Sequence, residues 1–270
     1  MSTELYIIVD KGHSFGSPGA SGLYSPREPN SSGRRSRENL TEYTVAERFG
    51  NALINALRAK FRNVDETPRR YYLAQRLEEA VTDRFPPVDY PFLPVNYPDI
   101  AVAFISVHLN SAYAGSGGTE VFYSVENPKS WYLASVLLEQ VVACAKGFAK
   151  DGRWGNRGVK NENQHSNPAA LGLIQWRGVP IGKDVYSGRA ERAGMSAAFY
   201  QSCFHAVLVE VGFMDSAHDM DVMGQPFFAD ALGSAMANGV EVWARALGVK
   251  PSPPPSPRTA TMRKISELYK

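Results

Sequence analysis

Residues 5–13 read LYIIVDKGH, and two later stretches share the design: IAVAFISVHLN at residues 100–110 and AVLVEVGF at residues 206–213. Each is a short apolar run rich in β-branched residues, which predicts a buried strand. These runs end at or contain His13, His108 and Glu210. Ligands bind beyond the carboxyl ends of strands in α/β sheets, so we expect these three side chains at one sheet edge. Two imidazoles and a carboxylate there predict a metal-dependent hydrolase site.

Segments with helical periodicity separate the apolar runs. Helices are predicted at residues 40–60, 70–82, 129–149 and 226–247, and a further strand at residues 119–123. Thr41 is the expected N-cap of the first helix, which places Glu42 in its first turn. Residues 150–200, rich in Gly and Arg, are predicted to be irregular.

Composition limits the class of protein. With 270 residues, 44% of them hydrophobic, the chain is long enough for one full core. A net charge of +2 without a long basic run argues against nucleic acid as a partner. No apolar stretch reaches the roughly 18 residues of a membrane-spanning helix, so no membrane insertion is expected. The two cysteines, Cys144 and Cys203, are too few for a cysteine zinc site and are expected to be unbridged thiols.

The two ends of the chain give further expectations. The first strand begins by Leu5, which leaves no room for a secretion signal, so synthesis in the cytoplasm is expected. Residues 251–257, PSPPPSP, favour polyproline II. One catalytic domain is therefore expected over residues 1–249, followed by a proline-rich linker and short tail over residues 250–270. The tail either docks on a partner or has no role, and both readings stay open.

The chemistry of a zinc site defines roles for these residues. Catalytic zinc takes three protein ligands and keeps a fourth position for water. His13 and His108 supply two ligands, and the third is expected to be Glu42, with Glu38 as its rival. Glu210 is the expected general base, because a carboxylate within an apolar strand is costly to bury without a partner. The ordinary alternatives are polar strand-end histidines and a glutamate that complements a helix dipole.

Several motifs together resemble the zinc-dependent N-acetylmuramoyl-L-alanine amidases of the amidase 3 class. The first apolar strand resembles that family's opening strand, which ends in Asp-x-Gly-His and precedes a Gly-Ala turn. The other similar segments are TEY at 41–43, ISVHLNS at 105–111, GTEVFY at 118–123, NRGVK at 156–160 and VLVEVGFM at 207–214. These segments occur in the family's order and span about residues 5–249. The match of the TEY segment favours Glu42 over Glu38 as the third ligand.

The resemblance implies a fold, a reaction and a cofactor. The fold would be an α/β domain with a single twisted, mostly parallel central sheet flanked by helices on both faces. The reaction would be hydrolysis of the amide between N-acetylmuramic acid and L-alanine of the peptidoglycan stem peptide, with one Zn²⁺ per chain. By position, His13, Glu42 and His108 would be zinc ligands and Glu210 the general base. Asn110 and Arg157 would line the substrate site.

Three features depart from the family. Lys11 places a cation beside a ligand loop, and His205 stands where the family often has proline; a metal role is not expected for it. The third departure is an insertion over about residues 161–203, which contains Trp176 and several arginines suited to sugars and peptide carboxylates. An elaboration that only packs on itself is an equal alternative for this insertion.

The leading hypothesis is therefore a peptidoglycan amidase that causes cell-wall lysis. It would act on the wall after release or injection, either as a phage endolysin or as an injected lytic effector. The alternatives are another zinc amidohydrolase or peptidase, and a catalytically silent peptidoglycan-binding module.

Overall fold

The computed structural model describes residues 4–12, 41–67, 100–111, 116–165, 174, 180–181, 184–185, 197–249 and 251. The predicted helix at residues 70–82, the residues His13 and Glu38, and all of the tail except Pro251 lie outside this part of the chain. So does much of the expected insertion.

Six of the strands form one sheet. The strands are β1 (Glu4–Asp10), β2 (Asn63–Glu66), β3 (Ile100–Asn110), β4 (Thr119–Tyr123), β5 (Asn156–Asn161), β6 (Pro180–Ile181), β7 (Asp184–Val185) and β8 (Phe204–Phe213). The sheet order is β2-β1-β3-β8-β4-β5, whereas β6 and β7 pair separately. All neighbours in the sheet are parallel except β4 and β8. The carboxyl ends of β1, β3 and β8 therefore share an edge, hereafter the site edge, with the amino ends of β4 and β5.

Helices cover the sheet on both faces. They are α1 (Glu42–Arg58), α2 (Ser130–Phe148), α3 (Ala197–Cys203), α4 (Ala217–Met223) and α5 (Phe228–Ala246), with a 3-10 turn at Glu162–Gln164. Helix α5 packs against both α1 and α2, and Phe228 contacts Phe49 and Phe148 edge-on. On the opposite face, Tyr200 of α3 packs on Phe204, which stacks on Phe104. The predicted fold class is confirmed.

The apolar core lies between the sheet and the three long helices. Alternate residues of the central strands point into it, including Ile7, Ile105 and Val209, and all three are almost completely buried. The neighbouring residues on each strand face the other side. In β3 and β8 this second set includes His108 and Glu210. The pleat therefore separates the core from the candidate chemistry.

The structure differs from the sequence expectations at the sheet's outer strands. Helices α1, α2 and α5 agree with prediction to within two residues at each end. The prediction that residues 150–200 are irregular is wrong at β5, β6, β7 and the start of α3. Strand β2 and helix α4 were not predicted either. Within the described residues, neither cysteine forms a disulfide. No described helix is long and apolar enough to cross a membrane.

Candidate active site

The end of β1 is fixed by a buried carboxylate. Asp10 accepts hydrogen bonds from Ser106 Oγ on β3 and from Thr67 Oγ1 after β2, each at 2.7 Å. Gly12 then adopts φ +67°, and a Cβ there would lie 2.8 Å from the Val107 carbonyl oxygen. Such a Cβ would also lie 3.6 Å from Cε1 of His108. The residue preceding His13 is therefore held against the His108 ring, and only glycine fits this position without strain.

The first residue of helix α1, Glu42, contacts His108. The Thr41 side chain accepts from the Thr44 amide, as expected of an N-cap, and so begins the helix just before Glu42. Glu42 Oε1 lies 2.9 Å from His108 Nδ1 and accepts a hydrogen bond from the Leu109 amide at 3.2 Å. Both Glu42 and His108 are buried. Two of the three predicted zinc ligands therefore meet at the site edge.

Glu210 lies beside this pair on β8. Its Cα is in register with that of His108 on β3 and with that of Glu120 on β4. Its Oε2 atom is buried and makes no hydrogen bond to any described residue. Burial, followed by the negative charges of Glu42 and Glu120, holds the pKa of Glu210 well above its usual range. Such a carboxyl group has the environment of a proton-transfer residue.

A second buried glutamate organises the other side of the site. Glu120 Oε1 accepts from Asn110 Nδ2 at 2.5 Å, and Glu120 Oε2 accepts from Arg157 Nε at 2.8 Å and from Lys160 Nζ. Burial raises the pKa of Glu120, but the hydrogen bonds and charges of Lys160 and Arg157 outweigh burial and hold it below its usual value. Unlike Glu210, this carboxylate is fully compensated.

Asn110 and Arg157, predicted to line the substrate site, thus lie at the site edge and both bind Glu120. Sequence reasoning assigned no role to Glu120 or Lys160. A signal was available for Glu120, because a carboxylate within the apolar stretch Thr119–Tyr123 needs a partner just as Glu210 does. The partners themselves come from β5, which sequence periodicity did not identify.

The two unusual residues of the sequence lie away from this chemistry. Lys11 forms an ion pair with Glu66 and donates to Asn51 Oδ1 at 3.1 Å, so its charge is compensated by β2 and α1. His205 is the second residue of β8 and lies toward the opposite end of the strand from Glu210. Its ring packs edge-on against Trp243, with centroids 5.1 Å apart. Both residues have structural roles.

The arrangement suits a divalent cation with a neighbouring proton acceptor. The imidazole of His108 and the carboxylate of Glu42 are in contact, and catalytic zinc sites typically combine histidine and carboxylate ligands. The carboxylate of Glu42 is also near enough to Glu210 to raise its pKa, after the larger effect of burial. Among the described residues alone, no group of three acidic, histidine or cysteine side chains could hold a metal. The third predicted ligand, His13, lies outside those residues.

Comparisons with known proteins agree on the fold. The chain is similar to the N-acetylmuramoyl-L-alanine amidase AmiC2 of Nostoc punctiforme, with 20% identity, a TM-score of 0.57, and coverage of 91% of this chain and 99% of the other. It is also similar to the catalytic domain of CwlV, an N-acetylmuramoyl-L-alanine amidase from Bacillus (Paenibacillus) polymyxa var. colistinus. There the identity is 19%, the TM-score 0.54, and the coverage 90% of this chain and 99% of the other.

The sequence itself identifies the family. A search of curated protein sequences gave no significant match. Residues 7–242, however, match the Amidase_3 family, described as N-acetylmuramoyl-L-alanine amidase. This range includes every predicted site residue, from His13 to Glu210. The chain therefore belongs to the Amidase_3 family of N-acetylmuramoyl-L-alanine amidases.

Proposed function

We propose that the protein is a zinc-dependent N-acetylmuramoyl-L-alanine amidase that lyses cell walls. Its substrate would be the amide that joins N-acetylmuramic acid to L-alanine of the peptidoglycan stem peptide. The observation that carries the proposal is the meeting of Glu42, His108 and Glu210 at the site edge, from three separate elements. Family membership supports the substrate.

The zinc ligands would be His13, Glu42 and His108. Contact between Glu42 and His108 supports two of them, and the position of Gly12, where an added Cβ would reach the His108 ring, supports the third. Glu120 is not a candidate ligand, because Lys160 and Arg157 already compensate its charge. Zinc bound there would polarise the scissile carbonyl and lower the pKa of a water molecule.

Glu210 would move the proton in this reaction. Hydrolysis needs a base to take a proton from the attacking water and an acid to return one to the leaving amine of L-alanine. A single carboxyl group performs both tasks when its pKa is shifted toward neutrality, and burial beside Glu42 and Glu120 shifts Glu210 in this direction. A cation held by Glu42 and His108 would oppose this shift and favour the ionised base.

Digestion of purified sacculi tests the reaction class. We expect mass spectrometry to find released stem peptides with a free L-alanine amino group, alongside glycan strands that keep intact lactyl carboxyl groups. A chelator should stop the release, and added zinc should restore it. Cleavage of simple acyl-amino acids but not sacculi would favour another zinc amidohydrolase. Binding of sacculi without release would favour a silent binding module.

Two biological settings fit the proposed activity. A phage endolysin and an injected lytic effector both act on the wall after synthesis in the cytoplasm, and the proline-rich tail offers a docking segment for the second. Infection and secretion assays with the tagged protein would distinguish them. Dependence of wall lysis on membrane breach supports the endolysin, and delivery into neighbouring cells supports the effector.

A further inference from the structure

We propose that Arg157 and Lys160 form a carboxylate-binding subsite for the stem peptide, held in place by Glu120. This subsite would make the enzyme prefer peptidoglycan whose second stem residue carries a free carboxylate over the amidated form. The inference rests on the proposed function for its substrate, but its geometry is independent of zinc.

The guanidinium of Arg157 is already oriented for a carboxylate. Its Nε donates to Glu120 Oε2 at 2.8 Å, and its Cζ lies over the Phe213 ring, 4.8 Å from the centroid. Neither terminal amino group makes a hydrogen bond to another residue in the part of the chain that the structure describes, and the side chain is 36% exposed. An arginine fixed through Nε and an aromatic ring presents its remaining donors for bidentate binding at little entropic cost.

Two cations share one carboxylate in this cluster. Glu120 is 5% exposed and binds both cations, so the cluster of these three side chains alone carries one net positive charge. Lys160 is 23% exposed, and its ammonium group lies 5.9 Å from the Phe122 ring centroid. Solvent can therefore reach the cations but hardly the glutamate, which identifies Glu120 as a positioning residue.

The distance from Glu210 matches the length of a peptide. Glu210 is in register with Glu120 on the adjacent strand, and Arg157 and Lys160 are on the next strand beyond it. Neighbouring strands are separated by about 4.8 Å, so β5 lies roughly 10 Å from β8. The bonds to Glu120 on β4 bring both cations closer to β8 than their own strand. An extended chain advances about 3.3–3.6 Å per residue, which puts a carboxylate of the second stem residue roughly 4–7 Å from the scissile amide.

Two matched ligands test the subsite. They are muramoyl-L-alanyl-D-glutamate, with a free α-carboxylate, and its α-amide, muramoyl-L-alanyl-D-isoglutamine. Calorimetry on the Glu210→Gln protein measures binding without turnover. We expect the carboxylate ligand to bind at least about tenfold more tightly, because a hydrogen bond between charged groups discriminates by that amount. Arg157→Gln in the same background should abolish the difference.

Controls separate the subsite from general effects of charge and folding. Arg245→Gln removes the same charge from the far end of α5 and should leave the tenfold preference unchanged. Arg157→Lys keeps the positive charge but cannot bind a carboxylate in a bidentate manner, so it should retain only part of the preference for the carboxylate ligand. In the active enzyme, Arg157→Gln should raise KM for the carboxylate substrate with little change in kcat.

Equal binding of both ligands, or equal weakening of both by Arg157→Gln, would overturn the proposed subsite. Failure of the proposed function has a different signature, in which wild-type enzyme loaded with zinc cleaves neither ligand. A carboxylate preference in binding that disappears in Arg157→Gln would support the subsite even then.

Discussion

Three buried glutamates share the site edge, and their different partners give them different chemistry. Glu42 contacts His108, and Glu120 is compensated by two cations. Glu210 Oε2 makes no hydrogen bond to a described residue, and the pKa of Glu210 is raised, whereas the pKa of Glu120 is lowered. Groups with environments that push their pKa values apart are those that divide acid–base work between them. Residue identity alone could not distinguish these three roles.

The proposal that Glu42, rather than Glu38, is a zinc ligand is testable by substitution. Glu42→Gln should lower zinc affinity by at least about tenfold, because a neutral amide replaces a carboxylate in contact with His108. Glu38→Gln, four residues earlier in the sequence, is the matched control and should bind zinc as the wild type does. Competition with a chromogenic chelator measures both affinities. Loss of zinc binding in Glu38→Gln with retention in Glu42→Gln would reverse the assignment.

His205 predicts a pH dependence of stability. Burial and then the charge of Lys129 lower its pKa from 6.5 to about 4 in the fold. Between these values the unfolded chain binds a proton that the folded chain does not, so stability falls as pH drops below 6.5. The expected loss from His205 is about 2 kcal/mol between about pH 7 and pH 5.

Urea unfolding of the wild type and His205→Gln at both pH values measures this loss. The glutamine side chain does not titrate, so the stability of this variant should change less with pH. An identical pH slope in the two proteins would show that His205 does not titrate as described.

At the scale of elements, predictability follows burial. Strands β1, β3 and β8 were predicted because they are apolar runs with buried centres. Helices α1 and α5 were predicted because their apolar residues recur with helical periodicity. The edge strands were not, because β2 reads NVDE and β5 reads NRGVKN. In β2 only Val64 is buried, and tertiary pairing rather than local pattern selects such strands.

The start of α5 contains a strained and exposed residue. Phe227 adopts φ +63° and ψ −2°, a left-handed conformation that is costly for a bulky side chain, and its side chain is 78% exposed. Phe227→Gly should therefore stabilise the protein by about 0.5–1 kcal/mol, after the entropy of glycine in the unfolded chain is included.

Phe227→Ala is the matched control for this prediction, because alanine removes the ring but keeps the Cβ that causes the strain. Thermal unfolding should rank glycine above alanine, with alanine close to wild type. If alanine gains as much as glycine, exposure of the ring rather than backbone strain is the relevant cost.

For the whole molecule, topology gathers residues that are far apart in the chain. The sequence indicated that strand ends would meet, and it identified His108, Glu210 and Glu42 as candidates. It could not show that β4 runs antiparallel to β8, and this reversal brings Glu120 to the site edge. Strand β5 follows β4 in direction and supplies Arg157 and Lys160. Side-chain contacts that depend on the direction of a strand in the sheet cannot be predicted from a local sequence pattern.

Zinc should stabilise the fold as well as serve the reaction. A metal that binds only the folded chain adds about 2.7 kcal/mol at a concentration 100-fold above its Kd. For a chain of this size, that gain corresponds to a rise in Tm of roughly 5–10 °C. Thermal unfolding with zinc or with chelator measures the shift, which should be smaller in Glu42→Gln. Equal Tm values with zinc and with chelator would argue against the zinc site.

The most direct test of the account compares the wild type with Glu210→Gln for zinc content and peptidoglycan digestion. Both proteins should bind about one zinc per chain, because Glu210 lies beside the proposed ligands and is not one of them. Only the wild type should release stem peptides at an appreciable rate, with Glu210→Gln slower by about 10²–10⁴-fold. Absence of zinc from the wild type, or equal digestion by the two proteins, would contradict the mechanism.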